Sequence, residues 1–301
     1  MLQPTVNFGR DSQLRTRMWI TMLILGALYG FFVWVVLLTA PMLLVLVVGF
    51  ALFQFAASDK MVLASMRAKV VTPEEAPKLH QMVDRLSADA GIPKPKVAIA
   101  DMAVPNAFAT GRSQKHAAVA VTTGLVDMLS DDELEGVLAH EISHIRTKDV
   151  VVMTYASFFL VVAAMLSTWL MFSAIFGGMS RGGRNGNAHS AIMIALIVTL
   201  IVRFVGGLLV SALSRTREFS ADRGAALLTH KPMALASALE RISGSFTKLP
   251  RDDLRKAESM NAFFIMPAVG DGMASLFSTH PSMNRRIERL REMESDIARM
   301  Q

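Results

Sequence analysis

From Met18 to Ser58 the chain carries no charged residue. One helical crossing of a bilayer needs about 20 apolar residues, and this run is roughly twice that long. It reads as two spans with a tight turn near Thr39-Ala40-Pro41. Backbone groups in lipid find no water to bond, so such segments are confined to helices. A cleaved leader would have an apolar core of only roughly 7–15 residues. Two more runs follow: Val150 to Ser180, without charge, and Ala191 to Leu213, broken only by Arg203. Arg203 reads as a residue that faces the bundle, snorkels or pairs with a carbonyl, with a functional mid-span charge as the alternative. A hydrophobic content of 52% and a mean hydropathy of +0.40 agree with a four-span α-helical membrane protein.

Composition narrows the function classes. There is no cysteine, which excludes disulfides, Cys-ligated zinc and thiol nucleophiles. The net charge of +6 comes without basic–aromatic interleaving. It is the excess expected where basic residues flank spans in contact with a lipid bilayer, and nucleic acid is not an expected partner. The spans divide the chain into four parts: 1–58, a tail with spans one and two; 59–149; 150–213, spans three and four with their loop; and 214–301. Parts two and four are rich in charges of both signs.

In 59–149 a helix is predicted from Pro73, capped by Thr72, to about Ala90, where Gly91 and Pro93 stop it. Strands are predicted at Lys96–Met102, Asn106–Thr110 and Ala117–Thr122, the last two joined by the polar turn Gly111-Arg112-Ser113-Gln114. Ser130-Asp131-Asp132-Glu133 has the form of a capping box and opens another helix. The glycine-rich stretch 177–187 reads as a connecting loop, because no strand precedes it and no Lys-Ser/Thr follows it. In 214–301, Pro232 starts a helix towards Ile242, residues 250–275 show no clear period, and Asn284–Met300 is a helix. Its stripe of Ile287, Leu290, Met293 and Ile297 reads as packing.

The helix opened by Ser130 contains His140-Glu141-Ile142-Ser143-His144. Residues four apart project from one helix face, so two imidazoles can share a Zn²⁺ ion, one per chain. Glu141 stands where it can act on water without occupying a coordination position. Zinc lowers the pKa of water, and a carboxylate takes its proton: the requirement of a metallopeptidase. A third protein ligand is still needed. The candidates are the remaining histidines and carboxylates, among which Glu218 and Asp222 stand out, four apart just after the fourth span. They read either as a ligand with a carboxylate that orients a histidine or as an exposed acidic pair.

His140-Glu141-x-x-His144, Glu218-x-x-x-Asp222, Pro105-Asn106-Ala107-Phe108-Ala109-Thr110-Gly111 and Thr279-His280-Pro281 together resemble the HtpX-type membrane metalloproteases, relatives of the CAAX prenyl endopeptidases. The resemblance covers nearly the whole chain. It implies an α+β gluzincin-like zinc metallopeptidase domain on four transmembrane helices, with zinc on His140, His144 and Glu218 and Glu141 as general base. It implies membrane-protein substrates, in quality control at the bacterial inner membrane. It also places His280 near the active site, where it would help to stabilise the tetrahedral intermediate; the other reading is a capping or loop histidine before the C-terminal helix. Asn106 would hold a substrate backbone if its strand is the edge lining the cleft. His80, His116, His189 and His230 have no such context and are expected at the surface.

Basic residues at Arg10, Arg15, Arg17, Lys60, Arg67, Lys69, Arg215 and Arg217 flank the side of the charged parts, against Arg181 and Arg184 on the other. The positive-inside rule then puts the catalytic parts in the cytoplasm. Three alternatives compete, one of them a transporter, in which the charged soluble half would lack a purpose. An intramembrane protease would carry its H-E-x-x-H within a span, whereas charges flank this motif on both sides. A non-catalytic scaffold or chaperone would be expected to have lost the base or a ligand.

Overall fold

A helix that is apolar all round has no face to turn to water, and this character sets the three longest helices apart from the rest of the chain. The computed structural model describes residues 12–39, 49, 62–177, 186–246 and 280–298. In chain order its elements are α1 (Ser12–Thr39), β1 (Ala68–Val70), α2 (Pro77–Ala90), β2 (Lys96–Ala100), β3 (Ala107–Thr110), a 3₁₀ turn (Gln114–His116), β4 (Ala118–Thr122), α3 (Thr123–Met128), α4 (Asp131–Arg146), α5 (Asp149–Gly177), α6 (Gly186–Thr229), α7 (Pro232–Phe246) and α8 (Met283–Ala298).

Three helices among the described residues, α1, α5 and α6, are long and apolar enough to cross a membrane, against four expected spans. The missing one is the second, which falls almost wholly outside the described residues, as do 178–185 and 250–275. Leu25, Tyr29 and Phe32 of α1 face inward onto Ala156, Ala163 and Leu166 of α5 and Ala195, Val202 and Val210 of α6. Small residues let membrane helices approach closely. At Gly206 an added Cβ would come within 2.7 Å of Leu160 Cδ2. The Tyr29 hydroxyl donates to the Ala156 carbonyl at 2.5 Å. Trp19, Leu23, Trp34, Trp169 and Phe204 point outward, as side chains facing lipid would. Arg203 is exposed but donates to Ser167 Oγ at 3.2 Å, a hydroxyl on the neighbouring helix and not the carbonyl considered above.

The charged parts form one layered unit. The sheet order is β1-β2-β4-β3, with β2 and β4 parallel and the other pairs antiparallel. Strands alternate faces with period two. Val97, Val119, Val121 and Ala107 pack towards the helices, while Ala98, Ala120 and Phe108 close a smaller cluster with Met66 on the other face. The larger core also takes Leu138 and Ile142 of α4, Leu235 and Leu239 of α7, and Ile287 and Leu290 of α8. Residues from both sides of the membrane segment 150–213 thus share one core.

Several expectations shift. The helix starts at Pro77, not Pro73, and Pro73–Ala76 form a turn. Proline disfavours the helical conformation in the residue before it, and Ala76 sits at φ −140°, ψ 63°. The helix end is as expected: Gly91 takes φ 67°, the left-handed region that suits glycine. The strand β1, three residues long, carried too short a pattern to be seen. His80 is buried and not at the surface, because it faces inward from α2 and its Nε2 lies 3.0 Å from the Val71 carbonyl oxygen. His116 and His230 are exposed as expected, and the His189 side chain lies outside the described residues.

Candidate metal centre

The capping box forms. Glu133 accepts the Ser130 N–H at 2.8 Å, and it also accepts Ser237 Oγ at 2.6 Å and Arg241 Nη1 at 2.8 Å from α7. One carboxylate thus starts α4 and fastens it to α7. Close approach continues at Gly136, where an added Cβ would lie 3.1 Å from the Leu235 nitrogen. On its other side α4 lies against the edge strand β3. With Leu138, Ala139 and Ile142 in the core, His140, Glu141 and His144 take the face towards α6.

There the two imidazoles meet Glu218. His140 Nε2 and His144 Nε2 are 3.1 Å apart. Glu218 Oε2 is 3.6 Å from the first and Oε1 is 3.4 Å from the second. Two ligands bonded at about 2.05 Å to a tetrahedral zinc lie about 3.3 Å apart, so the three separations fit that ion. His140, His144 and Glu218 are also the one metal-binding group found among the described residues.

Each histidine is held from behind. His140 Nδ1 lies 2.9 Å from Asp222 Oδ1, and His144 Nδ1 lies 2.7 Å from Asp149 Oδ2. In each ring the nitrogen turned away from the shared point thus has a carboxylate neighbour. Arg286 on α8, fully buried, donates to both Asp222 oxygens at 2.9 and 2.7 Å. Its Nη1 is also 3.2 Å from Glu218 Oε2. His280 Nδ1 approaches the same oxygen at 3.2 Å. Burial disfavours charge on His140, yet the Asp222 and Glu218 carboxylates outweigh it and raise the ring's pKa. At His144 burial is likewise outweighed by Glu218. The same two acids raise the Arg286 guanidinium against its own burial.

The structure therefore brings His140, Glu141, His144, Glu218, Asp222 and His280 together. Asn106 is buried just before β3, its N–H donating to Thr122 Oγ1 at 2.8 Å. Three residues beside the site were not assigned to it from the sequence: Asp149, Arg286 and Arg217, which was read only as a basic flank of the fourth span. Arg286 did leave a signal, because it lies four residues before Leu290 and therefore on the apolar stripe. A charge there needs a buried partner.

The fold and this donor set define a zinc metallopeptidase of the H-E-x-x-H kind, with a glutamate as third ligand. The model of peptidase family M48 matches residues 73–294. The chain is 47% identical over 293 residues to a "Protease HtpX homolog" of Moorella thermoacetica, covering 96% of this chain and 97% of that one. It is 49% identical over 293 residues to "Protease HtpX homolog 2" of Methanosarcina mazei, covering 96% and 98%. The chain belongs to peptidase family M48 and is a membrane-associated zinc metalloprotease of the HtpX type. The crystal structure of S. mikatae Ste24p shares the fold, with a TM-score of 0.51 and 20% identity over 91% of this chain and 67% of that one.

Proposed function

We propose that this protease cuts membrane proteins, misfolded or damaged ones among them, from the cytoplasmic side of the inner membrane. The observation that carries the reading is α6. It runs unbroken from Gly186 to Thr229 and bears both the apolar run and Glu218. Glu218 stands four residues beyond Ser214, about 6 Å at a helical rise of about 1.5 Å per residue. A metal held there lies within roughly 10 Å of the bilayer edge. Chain segments next to a span, or pulled partly out of the bilayer, reach such a site directly.

Zinc, when bound, polarises the scissile carbonyl and lowers the pKa of water. Glu141 takes the proton of the attacking water on its carboxylate and hands it to the leaving nitrogen. His280, beside Glu218, donates to the oxygen on which negative charge develops. Asp222 keeps the proton of His140 on Nδ1 and leaves Nε2 free to bind. Within the described sheet β3 has β4 as its one neighbour, so its outer edge can take an extended substrate as an added strand. Asn106 stands where that edge begins.

Four spans, with 59–149 and 214–301 as halves of one catalytic unit, are supported by the shared core and by the basic flanks. Arg217 contributes little to the orientation argument, since its charge is drawn inward onto Asp149. The test is to map cuts in a multi-span protein in intact membranes, with Glu141→Gln as control. Cuts should cluster in cytoplasmic loops near span ends. A majority in opposite-side loops, or deep within spans, would overturn the reading.

A further inference from the structure

His144 and Asp149 are five residues apart. On an unbroken helix of about 3.6 residues per turn, five steps leave two side chains about 140° apart, and they diverge. Their contact at 2.7 Å therefore requires a break. α4 ends at Arg146, and Lys148 adopts φ 58° before α5 begins at Asp149. The left-handed region is unfavourable for a residue with a Cβ, so the turn is held by its neighbours. Thr147 Oγ1 donates to Asp149 Oδ1 at 2.6 Å. Arg217 pairs with Asp149 and donates from Nη2 to the Thr147 carbonyl at 3.2 Å. Asp149 and Arg217 are 4% and 6% exposed, a charged pair drawn out of water directly behind a metal ligand. Arg217 Nη1 also lies 3.7 Å from Met18 Sδ of α1. Elements of three membrane helices thus converge on the back of His144.

We propose that Asp149, fixed in place by Arg217, is the positioning residue of His144. It accepts the Nδ1 proton, which leaves Nε2 free and aimed at the metal. The helix break at Lys148 is what delivers Asp149 to that nitrogen. The inference rests on the zinc site and not on what the protease cuts, so its test reads the metal and not hydrolysis.

The experiment uses the full chain in detergent micelles. Zinc affinity is measured by competition with a chromophoric chelator, and the cobalt-substituted protein gives a visible spectrum. Asp149→Asn should lower zinc affinity about 10–100-fold, the usual effect of losing such a hydrogen-bond partner, and should change the cobalt spectrum. In a His144→Ala background it should cause no further loss, because it acts through that ring. Removing one charge of a buried pair endangers folding. The double variant Asp149→Leu/Arg217→Met, which removes both, therefore serves as the second probe and should show the same loss. Zinc affinity and a cobalt spectrum like the wild type in the folded double variant would overturn the proposal. So would losses from Asp149→Asn and His144→Ala that multiply. A protease that left membrane proteins intact would still show the expected metal result, so the two readings fail separately.

Discussion

His140 and His144 leave the same helix one turn apart, yet they are steadied by different regions. Behind His140 stand Asp222 and, from the C-terminal helix α8, Arg286. Behind His144 stand Asp149, the first residue of a membrane helix, and Arg217, at the foot of another. The supports have the same chemistry, an imidazole on a carboxylate on a guanidinium, but unequal charge. Arg286 answers two buried acids, Asp222 and Glu218, whereas Arg217 answers Asp149. The metal centre thus lies on the seam between the water-facing and membrane-facing halves, and each half must be in place for one ligand to be aimed.

The largest expected effect sets both supports aside. Glu141→Gln should lower peptide hydrolysis by about 10²–10⁴-fold or more while zinc stoichiometry stays at the wild-type level. Near-normal turnover would remove Glu141 from the chemistry. Next comes the asymmetry itself. Arg286→Met leaves two buried carboxylates without their cation and should cost about 3–5 kcal/mol, read from unfolding of the metal-free protein. Arg217→Met should cost less, and an equal or greater loss would break the comparison.

A third measurement asks whether the two rings titrate alike. Both have raised pKa values from their carboxylate neighbours, so in the metal-free protein protons stay on them to higher pH than on a free imidazole. Zinc must displace those protons. Its affinity should therefore rise with pH up to the raised values and level off above them, with proton release on binding. Calorimetry in two buffers of different ionisation enthalpy measures that release; an absence of release would contradict the sign.

Smaller effects probe the seam and the bundle. Lys148→Gly relieves a left-handed lysine but adds freedom to the unfolded chain. A net gain below about 1 kcal/mol in thermal stability is expected, and a clear loss would mean that the lysine side chain itself holds the turn. Tyr29→Phe removes one hydrogen bond between membrane helices, which should cost about 0.6 kcal/mol, the average for such bonds in bilayers.

The sequence by itself determined the parts with local causes. Runs with no charge or a single one marked the three apolar helices found among the described residues, because hydrocarbon tolerates few charges over any window long enough to cross it. Ser130 and Glu133 placed the start of α4, and the four-residue step from His140 to His144 placed both ligands on one face, since helix geometry alone sets that relation. Gly91 ended α2 for an equally local reason. Spacing on its own left Glu218 and Asp222 open as third ligand; the resemblance pointed to Glu218, and the tertiary structure supplies the reason. The two share a face of α6 one turn apart, and the axial placement of α6 against α4 sets which reaches Nε2 and which reaches Nδ1. Arg286 meets Asp222 across 64 residues of chain, a separation over which periodicity carries no information. Asp149 was hidden for the opposite reason: helical spacing, applied to a chain that breaks at Lys148, points its side chain away from the histidine that it holds.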